Sequence, residues 1–127
     1  MSADSNRLDL TSLRDALASL QRALTRWQAT GSHDEELRDA CIQRFEYTFE
    51  LSWKMLRRRL ELDLPDAGSV DAMSYRDLIR SGGERGLVND VDAWMVFRDK
   101  RNTTSHTYNA AKAADVAAIL PAFAVHA

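Results

Sequence analysis

The chain has a single cysteine and no long apolar run, and both shortages restrict where the protein can work. The lone thiol of Cys41 cannot form an internal disulfide, so we expect a packed thiol in a reducing cytoplasm. The sequence has no apolar run of 18 residues, and it lacks the N-terminal apolar segment that directs secretion. We therefore expect a cytoplasmic protein with no membrane association.

The chain also has little excess charge of either sign, with a formal net charge of −2. Proteins that coat nucleic acid by bulk electrostatics are strongly basic, so any RNA contact here must be local. Basic residues cluster twice, at Lys54, Arg57, Arg58 and Arg59 and at Arg98, Lys100 and Arg101. Charge runs on helices are usually solvated faces, and we interpret the first cluster in that way.

Several signatures of common enzyme classes are missing. There is no serine hydrolase elbow, Walker loop or Rossmann glycine pattern. The histidines His33, His106 and His126 are too far apart in sequence to form a recognisable metal motif, and no carboxylates stand at ligand spacing near them. We therefore predict no metal site and no bound cofactor.

Helical periodicity dominates the first half of the chain. One apolar stripe, at spacings of three and four, consists of Leu10, Leu13, Leu17, Leu20, Leu24 and Trp27; a second consists of Ile42, Phe45, Phe49, Trp53, Leu56 and Leu60. Gly31 is expected to end the first helix, and Ser32 with Glu35 forms a capping-box pattern for the second. The very short connection makes the two helices antiparallel neighbours.

The second half predicts three further helices. A turn-rich linker at 65–69 precedes a short helix, which Ser74 caps and Gly82-Gly83 ends. A fourth helix, capped by Asn89, leads towards Arg101. The last helix covers 110–120, with Pro121 at its end or at a kink.

These helices fit one domain. The 127 residues suffice for a single core, and no alternating run of β-branched residues indicates a strand. We predict an all-α up-and-down bundle of four principal helices with one additional short helix, in a single domain over residues 1–127.

The segment Arg101-Asn102-Thr103-Thr104-Ser105-His106-Thr107-Tyr108 gathers a guanidinium, an imidazole and a phenol within eight residues. Those groups can handle a phosphodiester without a metal. The segment is rich in poor helix formers, which indicates the end or loosening of a helix. An ordinary helix-end arginine with a capping histidine is the simpler interpretation of the residues alone.

A continuous helix would point Arg101 and His106 about 140° apart, so one copy of the chain would not focus both on one phosphate. A two-fold dimer would place two arginines and two histidines around a shared groove. One neutral imidazole could then accept the 2′-hydroxyl proton while a protonated one donates to the leaving oxygen, and arginine stabilises the phosphorane.

Glu46, Glu50 and Lys54 fall on one face of the second helix. Their spacing alone favours a solvated charge stripe supported by an ion pair between Glu50 and Lys54.

Residues 101–108 resemble the R-x4-H-x-Y motif of HEPN-domain toxins, including Asn102 directly after the arginine. The helix from Gln43 to Lys54 is similar to the matching helix of the nucleotidyltransferase substrate-binding proteins, a HEPN branch. The stretch from Tyr75 through Trp94 is similar to that branch as well. Three such segments in the same order, within a resemblance over roughly residues 10 to 120, are more specific than a lone R-x4-H.

The resemblance implies a homodimeric HEPN toxin of a type VII-like toxin–antitoxin pair, acting as a metal-independent ribonuclease on RNA. Arg101 and His106 correspond to the catalytic pair, with Asn102 in support. A minimal nucleotidyltransferase partner would use its own ATP and Mg²⁺ to transfer AMP onto Tyr108. Glu46, Glu50 and Lys54 would support the motif or bind the partner.

The alternative is a non-catalytic subunit that presents substrate, or its own tyrosine, to a two-component nucleotidyltransferase. The intact Arg101, Asn102, His106 and Tyr108 favour the toxin. The chain is slightly acidic, and its sequence gives no sign of a long basic groove. The non-catalytic binding subunit therefore remains an alternative.

Overall fold

The computed structural model describes residues 9–31, 34–63, 67–104 and 110–126. These residues form helices without any β-strand. The helices are α1 (Thr11–Ala29), α2 (Glu35–Asp63), α3 (Ala67–Asp71), α4 (Tyr75–Glu84), α5 (Val91–Thr103), α6 (Ala110–Ala118) and α7 (Leu120–His126). The predicted all-α bundle is confirmed. Across the described ranges, no helix is long and apolar enough to cross a membrane.

The long helices α1 and α2 form the first layer of the bundle. Leu20, Leu24 and Trp27 of the predicted α1 stripe are buried. Gly31 adopts a left-handed φ of 72°, as expected for the residue after the helix end. The start of α2 differs from the prediction. Asp34 rather than Ser32 caps it, because its carboxylate accepts the backbone N–H of Leu37 at 3.1 Å, and Ser32 itself lies outside the described residues.

The glycine pair does not end the short helix α4. The helix continues through Gly82 and Gly83 to Glu84. A Cβ on Gly82 would stand 2.8 Å from Val88 and 2.9 Å from Leu56, so this glycine allows close packing against α2. The chain turns instead at Gly86, whose φ is 75°.

Helix α5 begins one residue later than predicted. Asp90, not Asn89, is the N-cap, and its carboxylate accepts the backbone N–H of Ala93 at 3.0 Å. Ser74 caps α4 as predicted, in a capping box with Asp77.

Two segments of the second half contain more helix than the sequence indicated. The linker includes the one-turn helix α3. The last helix breaks at Ile119, and α7 then begins with Pro121 in its first turn, where no backbone donor is needed.

An aromatic cluster joins these helices at the centre of the bundle. The Phe123 ring of α7 lies 4.8 Å from Phe45 and 5.2 Å from Phe97 between centroids, both in edge-to-face geometry. Trp94 stacks near Phe49 at 6.2 Å. Because Phe45 and Phe49 belong to α2 and Trp94 and Phe97 to α5, the cluster fixes these two helices against each other.

Candidate functional site

Arg101 lies in the last turn of α5 and is locked by its own helix end. The α-helix stops at Thr103, and Thr104 continues it as 3₁₀-helix, so the predicted loosening begins here. Thr104 is buried. Its hydroxyl donates to the Arg101 carbonyl at 2.7 Å and accepts from Arg101 Nη1 at 2.9 Å. These two bonds restrict the guanidinium to one side of the helix end.

Two carboxylates from α2 hold the same guanidinium. Glu46 Oε2 lies 3.8 Å from Arg101 Nη1, and Glu50 Oε1 lies 3.4 Å from Arg101 Nε. The Nε atom is buried, and its angle to Glu50 does not satisfy hydrogen-bond geometry, so this contact is an ion pair. All three side chains are about one third exposed. At that exposure each pair contributes little stability, and its main effect is on orientation.

Glu50 is itself fixed by a neighbour. Trp53 Nε1 donates to Glu50 Oε2 at 3.2 Å, one helical turn along α2. One oxygen of the carboxylate therefore faces Trp53 while the other faces Arg101. Such a bridge limits the rotamers of Glu50 and, through it, of Arg101.

The contacts leave one edge of the guanidinium for a ligand. Thr104 and Glu46 contact Nη1, and Glu50 contacts Nε. Among the described residues, the shortest of these contacts use Nη1 and Nε rather than Nη2. An arginine held in this way can present Nη2 to a phosphate oxygen, although the two carboxylates reduce the local positive charge.

The other predicted site residues fall into two groups. Asn102 is described and exposed on the last turn of α5. His106 and Tyr108 lie outside the described residues. Lys54 is exposed, with Nζ 6.0 Å from the centroid of Trp53. The sequence predicted an ion pair between Glu50 and Lys54. In the described part of the chain, the carboxylate of Glu50 pairs with Arg101 instead.

Thr104 and Trp53 are the site residues that the sequence did not single out. Both had a local signal, since Thr104 lies three residues after Arg101 and Trp53 three after Glu50. Positions three apart on a helix are neighbours. The sequence places Trp53 in the apolar stripe of the second helix, and in the structure its indole N–H adds a polar contact to Glu50.

Tyr75 contrasts with the motif tyrosine. Its hydroxyl donates to the Trp94 carbonyl at 2.9 Å. Burial raises the pKa of Tyr75 well above its usual value, and the nearby Arg98 opposes that shift only in part. A partly buried phenol that already donates a hydrogen bond is a structural group, unsuited to accept a nucleotide.

Comparisons with known proteins place this arrangement in a family. Residues 8–127 match the family described as nucleotidyltransferase substrate binding protein like. A Haemophilus influenzae protein named "Probable ribonuclease HepT" is 39% identical over 84 residues. That match covers 66% of this chain and 58% of the relative, so the chain spans little more than half the relative's length.

Two solved structures share the fold. One is from Haemophilus influenzae, and its description refers to the fold of a substrate-binding domain of a nucleotidyltransferase. It superposes with a TM-score of 0.87 at 32% identity, and the match covers 93% of both chains. A protein from Thermus thermophilus superposes with a TM-score of 0.69 at 33% identity, covering 88% of this chain and 89% of that one. The chain therefore belongs to the family of nucleotidyltransferase substrate-binding-like proteins.

Proposed function

We propose that the protein is a metal-independent endoribonuclease, the HEPN toxin of a type VII-like toxin–antitoxin pair. The observation that carries the proposal is the held guanidinium of Arg101, set at a helix end directly before the polar segment that contains His106. The ribonuclease name of the Haemophilus influenzae relative supports the same activity.

The proposed chemistry uses two copies of the motif. His106 of one protomer removes the proton from the ribose 2′-hydroxyl, whose oxygen attacks the adjacent phosphorus. The bond from phosphorus to the 5′-oxygen breaks, and a protonated imidazole of the second protomer gives that oxygen its proton. An imidazole pKa near 6.5 suits both roles close to neutral pH. The protein is therefore a homodimer in this proposal.

Arg101 would stabilise the charged phosphorane, with Asn102 in support. A bidentate or single N–H contact from a fixed guanidinium lowers the energy of the transition state most when the donor need not reorganise. Thr104, Glu46 and Glu50 supply that fixation in the described structure. Lys54, exposed beside Trp53, remains a candidate for binding the partner.

We assign regulation to a minimal nucleotidyltransferase acting as antitoxin. The partner would use its own ATP and Mg²⁺ to transfer AMP onto the phenol oxygen of Tyr108, with pyrophosphate leaving; this chain needs no cofactor. A phenol with a pKa near 10 is a poor nucleophile at neutral pH, so the partner must supply the base. The added phosphate would pair with Arg101 and exclude RNA.

A second candidate is a non-catalytic substrate-binding subunit of a two-component nucleotidyltransferase. The position of Glu46 and Glu50 against Arg101 favours it, because two carboxylates oppose the binding of a phosphate. The description of the family supports it also.

Expression of the chain without its partner separates the two candidates. The toxin arrests growth and degrades RNA, and co-expression of the neighbouring nucleotidyltransferase relieves both effects. The binding subunit leaves growth and RNA intact in the absence of the partner, and that outcome would contradict the ribonuclease.

A further inference from the structure

A shallow basic groove runs between α1 and α2, away from the residues of the motif. It is lined by polar and basic side chains: Gln21, Arg22, Thr25 and Arg26 from α1 and Arg44 from α2. Among the residues that the structure describes, no acidic side chain lines it. Arg22 and Arg26 are exposed and one helical turn apart, so their guanidinium groups emerge on the same face.

The positive charge of this groove is not neutralised within the described residues. Arg44 Nη1 donates to the Ser19 carbonyl at 2.8 Å, which fixes the side chain without cancelling its charge. The cluster of basic residues at 54–59 differs, because acidic side chains neutralise its arginines. Arg57 pairs with Asp71 at 2.7 Å, Arg58 with Glu61 at 3.9 Å and Arg59 with Asp63 at 2.8 Å.

The groove lies at the same height along α2 as the Arg101 site. Arg44 precedes Glu46 by two residues, an axial distance of about 3 Å at 1.5 Å per residue, and the two side chains leave opposite faces of α2. Arg44, Tyr47 and Glu50 follow one another at spacings of three, which forms a ridge winding around α2 from the groove to the carboxylate that holds Arg101.

Tyr47 occupies the middle of this ridge. Tyr47 is 39% exposed, and its hydroxyl lies 2.9 Å from Ser19 Oγ. The hydrogen bond anchors one end of the ring while a large part of its surface remains in solvent. An anchored, exposed ring beside guanidinium groups is the combination that binds single-stranded nucleic acid, through base stacking and phosphate contacts.

We propose that the groove formed by Arg22, Arg26 and Arg44 binds the backbone of single-stranded RNA and leads it past Tyr47 to Arg101. This inference rests on the proposed ribonuclease function. Arginines on two helices can contact successive phosphates, whereas the net charge of −2 offers no general attraction. The groove thus supplies the local RNA contact that the composition requires.

The test measures binding and cleavage separately, on full-length protein purified without its partner. The binding probe is a fluorescent 2′-O-methyl oligoribonucleotide, which lacks the attacking hydroxyl. The variant is Arg22→Glu/Arg26→Glu. Its matched control is Arg76→Glu/Arg80→Glu on α4, also exposed and one turn apart, with the same change of charge. Circular dichroism and thermal unfolding verify that both variants fold.

We expect the groove variant to bind the probe at least roughly tenfold more weakly, with a salt dependence shallower by about 0.7 per lost phosphate contact. The α4 control should stay within about twofold of wild type, and Arg22→Lys/Arg26→Lys should retain most of the affinity because it keeps the charge. Equal losses in both glutamate variants, or wild-type binding by the groove variant, would overturn the inference.

Cleavage distinguishes this inference from the proposed function. A dinucleotide substrate is too short to occupy the groove, so the groove variant should cleave it at the wild-type rate while losing activity on longer RNA. If the wild-type protein binds RNA through the groove but shows no cleavage, the proposed ribonuclease activity is wrong and the inferred RNA-binding groove is supported. If the groove variant loses only its complex with the nucleotidyltransferase and binds RNA normally, the groove is a protein interface and the inference is wrong.

Discussion

Arg101 Nε lies 3.4 Å from Glu50 Oε1, so the guanidinium of the motif is held by an ion pair from the neighbouring helix. We expect Glu50→Gln to lower the turnover of RNA by about tenfold, because the guanidinium loses the charge that orients it; tenfold corresponds to about 1.4 kcal/mol. RNA affinity should not fall, since the substitution removes a carboxylate near the phosphate.

Single-turnover cleavage and anisotropy with a non-cleavable RNA separate these two effects. Glu36→Gln, an exposed glutamate at the start of α2, is the matched control. Wild-type turnover in Glu50→Gln, or an equal loss in the control, would mean that Glu46 and Glu50 form a solvated charge stripe and do not orient Arg101 for catalysis.

Tyr108 is the expected acceptor of AMP. Intact mass spectrometry after co-expression with the neighbouring nucleotidyltransferase should show adducts in steps of one AMP, and these should be absent in Tyr108→Phe. Tyr47→Phe is the control, because Tyr47 is exposed and could be reached by the partner. Adducts that persist in Tyr108→Phe and vanish in Tyr47→Phe would move the modification to α2.

The proposed active site, shared between two protomers, requires a homodimer at working concentrations. Size-exclusion chromatography with light scattering should give about twice the chain mass of 14.3 kDa at micromolar protein. Adding excess His106→Ala to wild-type protein should then lower cleavage below the rate of the wild type alone, because each mixed dimer keeps only one of the two imidazoles. A monomer with full cleavage activity would exclude the two-copy mechanism.

Periodicity and capping chemistry were sufficient to predict the helices and the order of the bundle. Leu20, Leu24 and Trp27 of the first stripe and four of the six residues of the second are buried, and Gly31 follows α1 as its left-handed residue. Gly82 shows where local rules failed. A glycine pair usually ends a helix. Here Leu56 and Val88 lie so close to Gly82 that a larger residue would clash, and the contact with Leu56 joins residues far apart in sequence.

The candidate site was predictable in part. Arg101 and its polar segment are visible in the sequence, and so is the face that carries Glu46 and Glu50. Their pairing with Arg101 depends on how α2 packs against α5, and residue spacing within one helix carries no information about that packing. The spacing instead favoured Lys54 as the ion-pair partner of Glu50. The groove at Arg22 and Arg44 was invisible for the same reason, because its two walls are distant in sequence.

Phe123 was also missed, since it follows Pro121 and the predicted helix ended near there. It is fully buried between Phe45, Trp94 and Phe97. We expect Phe123→Ala to lower the free energy of unfolding by about 3–5 kcal/mol, through the lost transfer energy and the remaining cavity.

Urea unfolding at fixed protein concentration measures the loss, and Val96→Ala at an exposed position of α5 should change stability by less than about 0.5 kcal/mol. A loss below about 1 kcal/mol for Phe123→Ala would mean that α7 is not part of the cooperative core.

Cleavage of a single-stranded RNA in excess EDTA, measured with purified wild type, Arg101→Ala and His106→Ala, shows whether these two residues support catalysis without a metal. Wild type should cleave at an unchanged rate with the chelator, and each variant should lose about 10²–10⁴-fold in rate while keeping its circular dichroism spectrum and unfolding midpoint. Loss of wild-type cleavage in EDTA, or wild-type rates in both folded variants, would contradict a metal-independent ribonuclease built on Arg101 and His106.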